Sequence, residues 1–187
     1  MAQISVDSLI GNSGPSYPEQ IAAPYRKELT DNGFTQLLTP EDVDKALQRN
    51  DGKIQMVVLN SVCGCGARVA RPGALLSLFS KVVPDERFTL FAGMEKDAVG
   101  YFRTNYLQGI TPSSPNIYLF KDGELIFILH RYQIERSAAG DIADALIQKY
   151  NEVCTKENDD TSVESLRQYF IEHFNVDPLE ESQTENS

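Results

Sequence analysis

An apolar run that ends in two closely spaced cysteines places the strongest constraint on the fold of this 187-residue chain. Residues 54–59 are apolar with two adjacent valines, a pattern typical of a β-strand buried on both faces. Shortly after this run come Cys63 and Cys65, separated by one glycine. In open α/β sheets, ligands and reactive groups collect beyond the carboxyl ends of the strands. The stretch therefore predicts a reactive site at the end of a central strand.

The segments around this strand predict an α/β domain. A helix over 66–82 and a second strand over 87–92 give a right-handed parallel unit, and a helix over 95–107 follows. Two further apolar runs flank Asp122-Gly123, which is a strong hairpin signal. The order of elements predicts a mixed central sheet of about four strands with helices on both faces. The remaining helices are expected over 18–32, 39–50 and 137–153.

The helix after the cysteines contains Pro72, which cannot donate a backbone hydrogen bond. Two interpretations follow from this position. The helix either starts near Arg71, so that the proline lies in its first turn, or starts at Cys65 and kinks at the proline.

The chain divides into three predicted parts. Residues 1–17 show no hydrophobic period and form a flexible N-terminal segment, and residues 18–154 form the α/β domain. Residues 155–187 are an acidic C-terminal extension with a polar linker at 156–160, a capping box that begins at Thr161 and a disordered end. An amphipathic helix is expected over 161–174. It packs on its own domain, or it docks a partner or a second subunit.

Composition narrows the class of function and the location. The net charge of −10, from 27 acidic and 17 basic residues, argues against binding to nucleic acid and to anionic lipid. No apolar run approaches the ~18 residues of a membrane span, and the first residues do not resemble a secretory signal. Three cysteines in such a chain are typical of the reducing cytosol, where a close pair is catalytic or metal-binding more often than structural. The expected location is cytoplasmic.

Thiols at the junction of a strand and a helix have a chemical use. The first turn of a helix carries free N–H groups and the positive end of the helix dipole, so it stabilises a thiolate. Arg68 and Arg71 could add positive potential. We expect Cys63 to be the nucleophile and Cys65 the resolving or modulating thiol. A disulfide across one residue closes a strained ring, which favours the dithiol form and attack on disulfides that already exist.

Other interpretations of the pair are open from the residues alone. The cysteines could be a packed structural pair. A structural zinc site needs four ligands, and beyond the pair only Cys154, His130 and His173 remain as cysteine or histidine candidates. We therefore expect no metal and no tightly bound cofactor.

A proline before the predicted hairpin gives a second indication of redox chemistry. Pro115 would lie beside the C-terminal end of the first strand, next to the thiols. If the Ser114–Pro115 bond is cis, the preceding backbone is free to pair with an extended substrate. The alternative is an ordinary trans proline in a loop.

The element order and these motifs resemble the bacilliredoxin family of thioredoxin-like proteins over residues 18–154. The resemblance is carried by the run Asn60-Ser61-Val62-Cys63-Gly64-Cys65, by Ala70-Arg71-Pro72, by Ser113-Ser114-Pro115, and by residues 24–29, 91–93 and 130–131. It implies a thioredoxin-like fold and a cytosolic thiol–disulfide oxidoreductase that removes bacillithiol from protein mixed disulfides, with weak isomerase capability.

The resemblance also implies roles for single residues. Cys63 matches the attacking cysteine, Cys65 its neighbour and Pro115 the cis-proline. Bacillithiol is then a co-substrate, and bacillithiolated or disulfide-bonded proteins are the partners. Cys63 would be resolved by Cys65, by free bacillithiol or by Cys154, which is otherwise an inert thiol at a helix end. The alternative functions are a general disulfide isomerase or reductase and a non-catalytic adaptor that binds a partner through the 161–174 helix.

Overall fold

The fold is organised around a central strand that leads to the cysteines. The computed structural model describes residues 14–180, so residues 1–13 of the predicted flexible segment and 181–187 of the predicted disordered end lie outside the described residues. The helices are α1 (Glu19–Thr30), α2 (Pro40–Leu47), α3 (Arg71–Leu76), α4 (Lys96–Tyr106), α5 (Arg131–Ile134), α6 (Ala139–Val153) and α7 (Asp160–Phe174). The strands are β1 (Thr35–Gln36), β2 (Ile54–Asn60), β3 (Val82–Val83), β4 (Glu86–Phe91), β5 (Asn116–Lys121), β6 (Glu124–Leu129) and β7 (Lys156–Glu157).

The main sheet has the order β1-β4-β2-β5-β6. Strands β1, β4 and β2 are parallel, β5 is antiparallel to β2, and β6 is antiparallel to β5. This mixed sheet with helices on both faces is a thioredoxin-like fold, as the sequence predicted. The predicted number of about four strands omitted β1, because a strand of two residues has no detectable hydrophobic period.

Strand β2 is buried along all seven of its residues. Met56 and Val58 point into the hydrophobic core that contains residues of α1, α3, α6 and α7. Val57 and Leu59 point into the opposite core, which contains residues of α2 and α4. Successive side chains of a strand point to opposite faces, so adjacent apolar residues such as Val57 and Val58 fit a strand that is covered on both sides.

The hairpin between β5 and β6 agrees with its sequence signal. Asp122 and Gly123 both have positive φ angles, of 51° and 82°. A two-residue turn with both residues in the left-handed region matches the twist of the strands that it connects, and Asp-Gly suits it because glycine has no Cβ. The prediction of a hairpin here is confirmed.

The helix after the cysteines combines the two predicted interpretations. A π-helical turn (Gly66–Ala70) runs directly into α3, which begins at Arg71. The Arg71 N–H donates to the Gly66 carbonyl, five residues back. Pro72 thus lies in the first turn of α3, where a missing N–H is tolerated, and the wider turn before it continues the helical path to the cysteines.

The predicted polar linker is wrong, since this segment is part of the fold. Strand β7 pairs with β3 in a small antiparallel sheet. The backbone N–H of Asn158 donates to the Lys81 carbonyl at 2.9 Å, and its side-chain amide donates to the carbonyls of Leu78 and Ser80 at 2.6 and 3.0 Å. These backbone contacts between distant segments carry no signal in the local sequence.

Helix α7 packs on its own domain. Leu166 and Phe170 are buried in the core on the α3 and α6 face of the sheet, and the Phe170 ring meets Phe79 edge to face at 5.9 Å. The predicted capping box at Thr161 is wrong. Asp159 caps the helix instead, because its carboxylate accepts the Ser162 N–H at 2.8 Å.

The domain begins slightly earlier in the chain than predicted. The Ser16 N–H donates to the Gly93 carbonyl at 2.6 Å, so the described chain contacts the domain two residues before the predicted boundary.

Among residues 14–180, the helices are too short or too polar to cross a membrane.

Replacing Phe170 with Ala should lower the free energy of unfolding by about 3–5 kcal/mol, because a large buried ring leaves a cavity. Phe174→Ala is the matched control: this ring lies one turn further along α7 and is 41% exposed. We expect a loss of about 1 kcal/mol there, from its contact with Phe170. Urea unfolding measures both, and equal small losses would show that α7 does not contribute to the core.

Candidate active site

The thiol pair lies where β2 leaves the sheet. Cys63 and Cys65 form a disulfide with their Cα atoms 5.5 Å apart, a separation in the usual range for a bonded pair. Both cysteines are partly exposed, and Gly64 between them is exposed. The pair is therefore open to a macromolecular substrate, although the strand that leads to it is buried.

Hydrogen-bond donors are arranged around Cys63. The Ser61 hydroxyl lies 3.1 Å from the Cys63 Sγ atom, and the Gly66 N–H donates to the same sulfur at 3.3 Å. Within residues 14–180, Cys65 Sγ receives no hydrogen bond. Donors aimed at a sulfur stabilise its thiolate and lower the pKa of the thiol. The asymmetry favours Cys63 as the nucleophile once the disulfide is reduced.

The close approach of Gly66 to Ser61 depends on the absence of a side chain at residue 66. A Cβ atom there would lie 2.9 Å from the Ser61 carbonyl oxygen and 3.2 Å from its hydroxyl. Any larger residue would push the helix start away from the strand end. Gly66 thereby lets its own N–H reach the Cys63 sulfur.

Arg71, one of the predicted accessory residues, is fully buried beneath the site. Its guanidinium donates to the Asn60 side-chain oxygen at 2.9 Å and to the Ser61 carbonyl at 3.1 Å. It also forms a two-point ion pair with Glu28, at 2.5 and 3.3 Å, and lies 4.7 Å from the centre of the Tyr25 ring. Because Glu28 compensates its charge, Arg71 acts on the thiols mainly by fixing the backbone that carries them.

Arg68, the other predicted accessory residue, is exposed. It lies beside Gly64, the residue that separates the two cysteines. A Cβ atom on Gly64 would be 3.4 Å from its guanidinium. This position allows Arg68 to contribute positive potential at the mouth of the site, without a hydrogen bond to either sulfur.

The predicted proline loop lies next to the strand end. The Ser114–Pro115 peptide bond is cis, as one of the two interpretations required. Asn116 is paired with Leu59 in the antiparallel register of β5 and β2. Residues that precede Asn116 therefore lie beside those that follow Leu59, which brings Ser114 and Pro115 to the same edge as the cysteines.

A buried asparagine holds this loop in place. The Asn116 side-chain oxygen accepts the Arg131 N–H at 2.7 Å, and its amide donates to the Ser113 carbonyl at 3.3 Å and the Tyr118 hydroxyl at 2.8 Å. The Arg131 guanidinium donates to the Ser114 carbonyl at 3.2 Å. The loop is thus tied to the start of α5 by the Asn116 amide group and by the Arg131 guanidinium.

A groove of about 560 Å³ opens beside the proline loop. Its walls include Ile110, Ser113, Arg131 and Tyr132, and His130 stacks on the Tyr132 ring at a centroid distance of 5.3 Å. Within the described part of the chain, His130 makes no hydrogen bond to a cysteine. Its environment is that of a groove wall.

Cys154 lies at the other end of the sheet, so it is not part of this site. Burial, together with the nearby Asp85 carboxylate, raises the pKa of its thiol to about 12. Asp85 accepts the N–H of Ile54, the first residue of β2. Seven residues of strand span roughly 20 Å, so direct resolution of Cys63 by Cys154 does not fit this placement.

Five positions near the thiols were missed as site residues: Glu28, Asn60, Ser61, Gly66 and Asn116. The two polar residues at the end of an apolar strand were a usable signal, because buried polar groups need partners. Glu28 gave no signal, since 43 residues separate it from Arg71.

A two-cysteine site at the end of a central strand, beside a cis-proline loop, can exchange thiols and disulfides. A family model described as disulphide isomerase matches residues 17–154. A bacilliredoxin of Halalkalibacterium halodurans is 44% identical over 74% of this chain and 94% of its own. A bacilliredoxin from Cytophaga hutchinsonii is 45% identical over 73% of this chain and 99% of its own length. The solution structure of oxidised thioredoxin from Plasmodium falciparum is 16% identical, with a TM-score of 0.44, over 63% of this chain and 98% of that one.

Fold, site and relatives define the class of protein, which is a thiol–disulfide oxidoreductase with a thioredoxin-like fold. Within that class the chain belongs to the bacilliredoxin family.

Replacing Ser61 with Ala should raise the pKa of the Cys63 thiol by about one unit, because a charge-assisted hydrogen bond to the thiolate is lost. The pKa is read from the ultraviolet absorbance of the thiolate against pH, in a Cys65→Ala background that prevents disulfide formation. Ser137→Ala is the control, since that hydroxyl donates to the Gln133 carbonyl on α5. An unchanged pKa would contradict the donor role of Ser61.

Alkylation of the reduced, folded protein with iodoacetamide at about pH 8 should modify Cys63 and Cys65 but spare Cys154. The raised pKa keeps the buried Cys154 protonated, and only the thiolate reacts. The urea-unfolded protein is the control and should be modified at all three cysteines. Rapid labelling of Cys154 in the folded chain would disagree with its placement.

Proposed function

We propose that this chain is a bacilliredoxin that removes bacillithiol from protein mixed disulfides, with Cys63 as the attacking residue. The observation that carries the proposal is the pair of donors, from Ser61 and Gly66, directed at the Cys63 sulfur. The names of the relatives support the choice of bacillithiol. The expected location is the cytoplasm, where protein thiols are kept reduced.

In the first step, the Cys63 thiolate attacks the bacillithiol sulfur of the mixed disulfide. A bond forms between Cys63 Sγ and that sulfur, and the bond to the substrate protein breaks. The protein thiolate leaves and takes up a proton from water. The substrate cysteine is thereby reduced, and bacillithiol is now bound to Cys63.

In the second step, the Cys65 thiolate attacks the Cys63 sulfur and releases bacillithiol as a thiol. The Cα separation of 5.5 Å supports this role, because the two sulfurs can bond with the backbone in place. Overall, the two cysteines give two electrons to the mixed disulfide. Free bacillithiol is the alternative resolving thiol, and a thiol reductant must restore the dithiol.

The groove beside Ser114 and Pro115 is the proposed binding place for the protein part of the substrate. It lies at the same edge of the sheet as the thiols and combines apolar walls with the Arg131 guanidinium. An extended segment in this groove would present its disulfide to Cys63.

A general disulfide isomerase or reductase is the second candidate function, and the description of the matching family model favours it. Turnover of a scrambled disulfide protein distinguishes the two functions. An adaptor that docks through α7 has less support, since Leu166 and Phe170 of its apolar stripe are buried against the domain.

Cys63→Ala should abolish release of bacillithiol from a bacillithiolated protein, and Cys65→Ala should release the protein thiol but keep bacillithiol on Cys63. The difference follows from the attacking and resolving roles of the two sulfurs. Mass spectrometry of both proteins after mixing measures the transfer of the small thiol. Cys154→Ala is the matched cysteine control and should behave as the wild type.

Unchanged release by Cys63→Ala would overturn the proposed function. Faster turnover of a scrambled protein than of the bacillithiolated one would assign the isomerase function in its place.

A further inference from the structure

A second cavity lies on the side of the domain that the C-terminal extension covers. It has a volume of about 410 Å³ and is walled by the end of α1, by β4 and by one face of α7. Its polar lining includes Ser162, Ser165, Tyr169 and His173 from α7, with Arg87 of β4 inside. None of these residues belongs to the thiol site.

Arg87 is the unusual member of this lining. Its guanidinium lies over the Phe34 ring, 6.0 Å from the ring centre, and close to the backbone at Gly33. Among residues 14–180, nothing forms a hydrogen bond or an ion pair with it. Desolvation accordingly lowers the pKa of Arg87 from its usual value, and more distant charges, such as Asp159, only partly oppose this.

Comparison with the other arginines of residues 14–180 shows that the lack of a partner for the Arg87 guanidinium is exceptional. Five other arginines in the described part of the chain are also buried or partly buried. Each of them donates at least one hydrogen bond to a carboxylate, amide or carbonyl oxygen: Arg26, Arg49, Arg71, Arg103 and Arg167. Within the described residues, the guanidinium nitrogens of Arg87 are not among the fully buried unpaired polar atoms, so its donors are open to the cavity and available to a ligand there.

We propose that this cavity binds a small molecule through an oxyanion head group, either a carboxylate or a phosphate, that pairs with Arg87. A planar guanidinium fork suits either anion in a two-point contact. The Ser165 hydroxyl lines the same space and can donate to a remaining oxygen, whereas the Ser162 hydroxyl already donates to the Asp159 carboxylate at 2.7 Å. Asp31 and Glu172 stand at exposed positions of the lining and would repel a second negative group, which favours a ligand of low total charge.

The site depends on the C-terminal extension, which lies outside the part of the chain that the family model matches. The matching family model ends at residue 154, before α7 begins. The match to the relative from Halalkalibacterium halodurans spans 94% of that protein but only 74% of this chain. A ligand held between Arg87 and α7 would therefore be a property of this chain that the shared domain does not provide.

Isothermal titration calorimetry on the full chain tests the proposal, with sodium phosphate and sodium propionate, a monocarboxylate, as separate probes at constant ionic strength. Saturable binding of either probe is expected, and Arg87→Met should weaken it about 10-fold or more, since a charge-assisted contact is lost. Arg136→Met removes an exposed arginine outside the cavity and should leave binding unchanged.

A second variant keeps the test independent of any folding defect at Arg87. Ser165 is exposed on α7, so Ser165→Glu should fold normally while placing a carboxylate in the cavity that competes for the guanidinium. It should abolish binding. The proposal is overturned if neither probe binds saturably, or if Arg87→Met and Ser165→Glu bind as the wild type does. Thiol exchange is not involved, so these outcomes are separate from those for Cys63.

Discussion

The buried ion pair between Arg71 and Glu28 is the interaction on which the geometry of the thiol site depends. It joins α1 to the start of α3, and the same guanidinium fixes Asn60 and the Ser61 carbonyl at the end of β2. A charge in a fully buried position is tolerated only when it is paired and its donors are used. Removing either partner would leave the other uncompensated, so the strand end, the helix start and α1 are held as one unit.

The site separates the groups that carry charge from the group that reacts. Arg71 lies beneath the backbone, where Glu28 compensates it, and the donors that reach the Cys63 sulfur are a neutral hydroxyl and a backbone N–H. Such donors lower the pKa of a thiol without placing a full positive charge against it. Cys63 is left partly exposed, at the edge of the sheet that carries the proline loop.

The C-terminal extension is part of the same folded body. Strand β7 pairs with β3, and the side chains of Leu166 and Phe170 enter the core that also receives Met56 and Val58 of the central strand. The extension was predicted as a linker and helix because its local sequence is polar. What fixes it is the pairing of short backbone segments more than 70 residues apart, to which the local pattern is insensitive.

The sequence by itself determined the central strand, the hairpin, most helices, the cysteine pair and the proline that precedes β5. Each of these rests on a local rule: an apolar run, an Asp-Gly turn, or the spacing of reactive residues. Only the tertiary structure decided which groups surround Cys63, that Cys154 lies at the far end of the sheet, and that Arg87 lines a cavity in which no residue of the described chain pairs with it. These facts depend on contacts between residues far apart in the chain, and hydrophobic periodicity determines which face of an element is buried but not which polar partner it meets there.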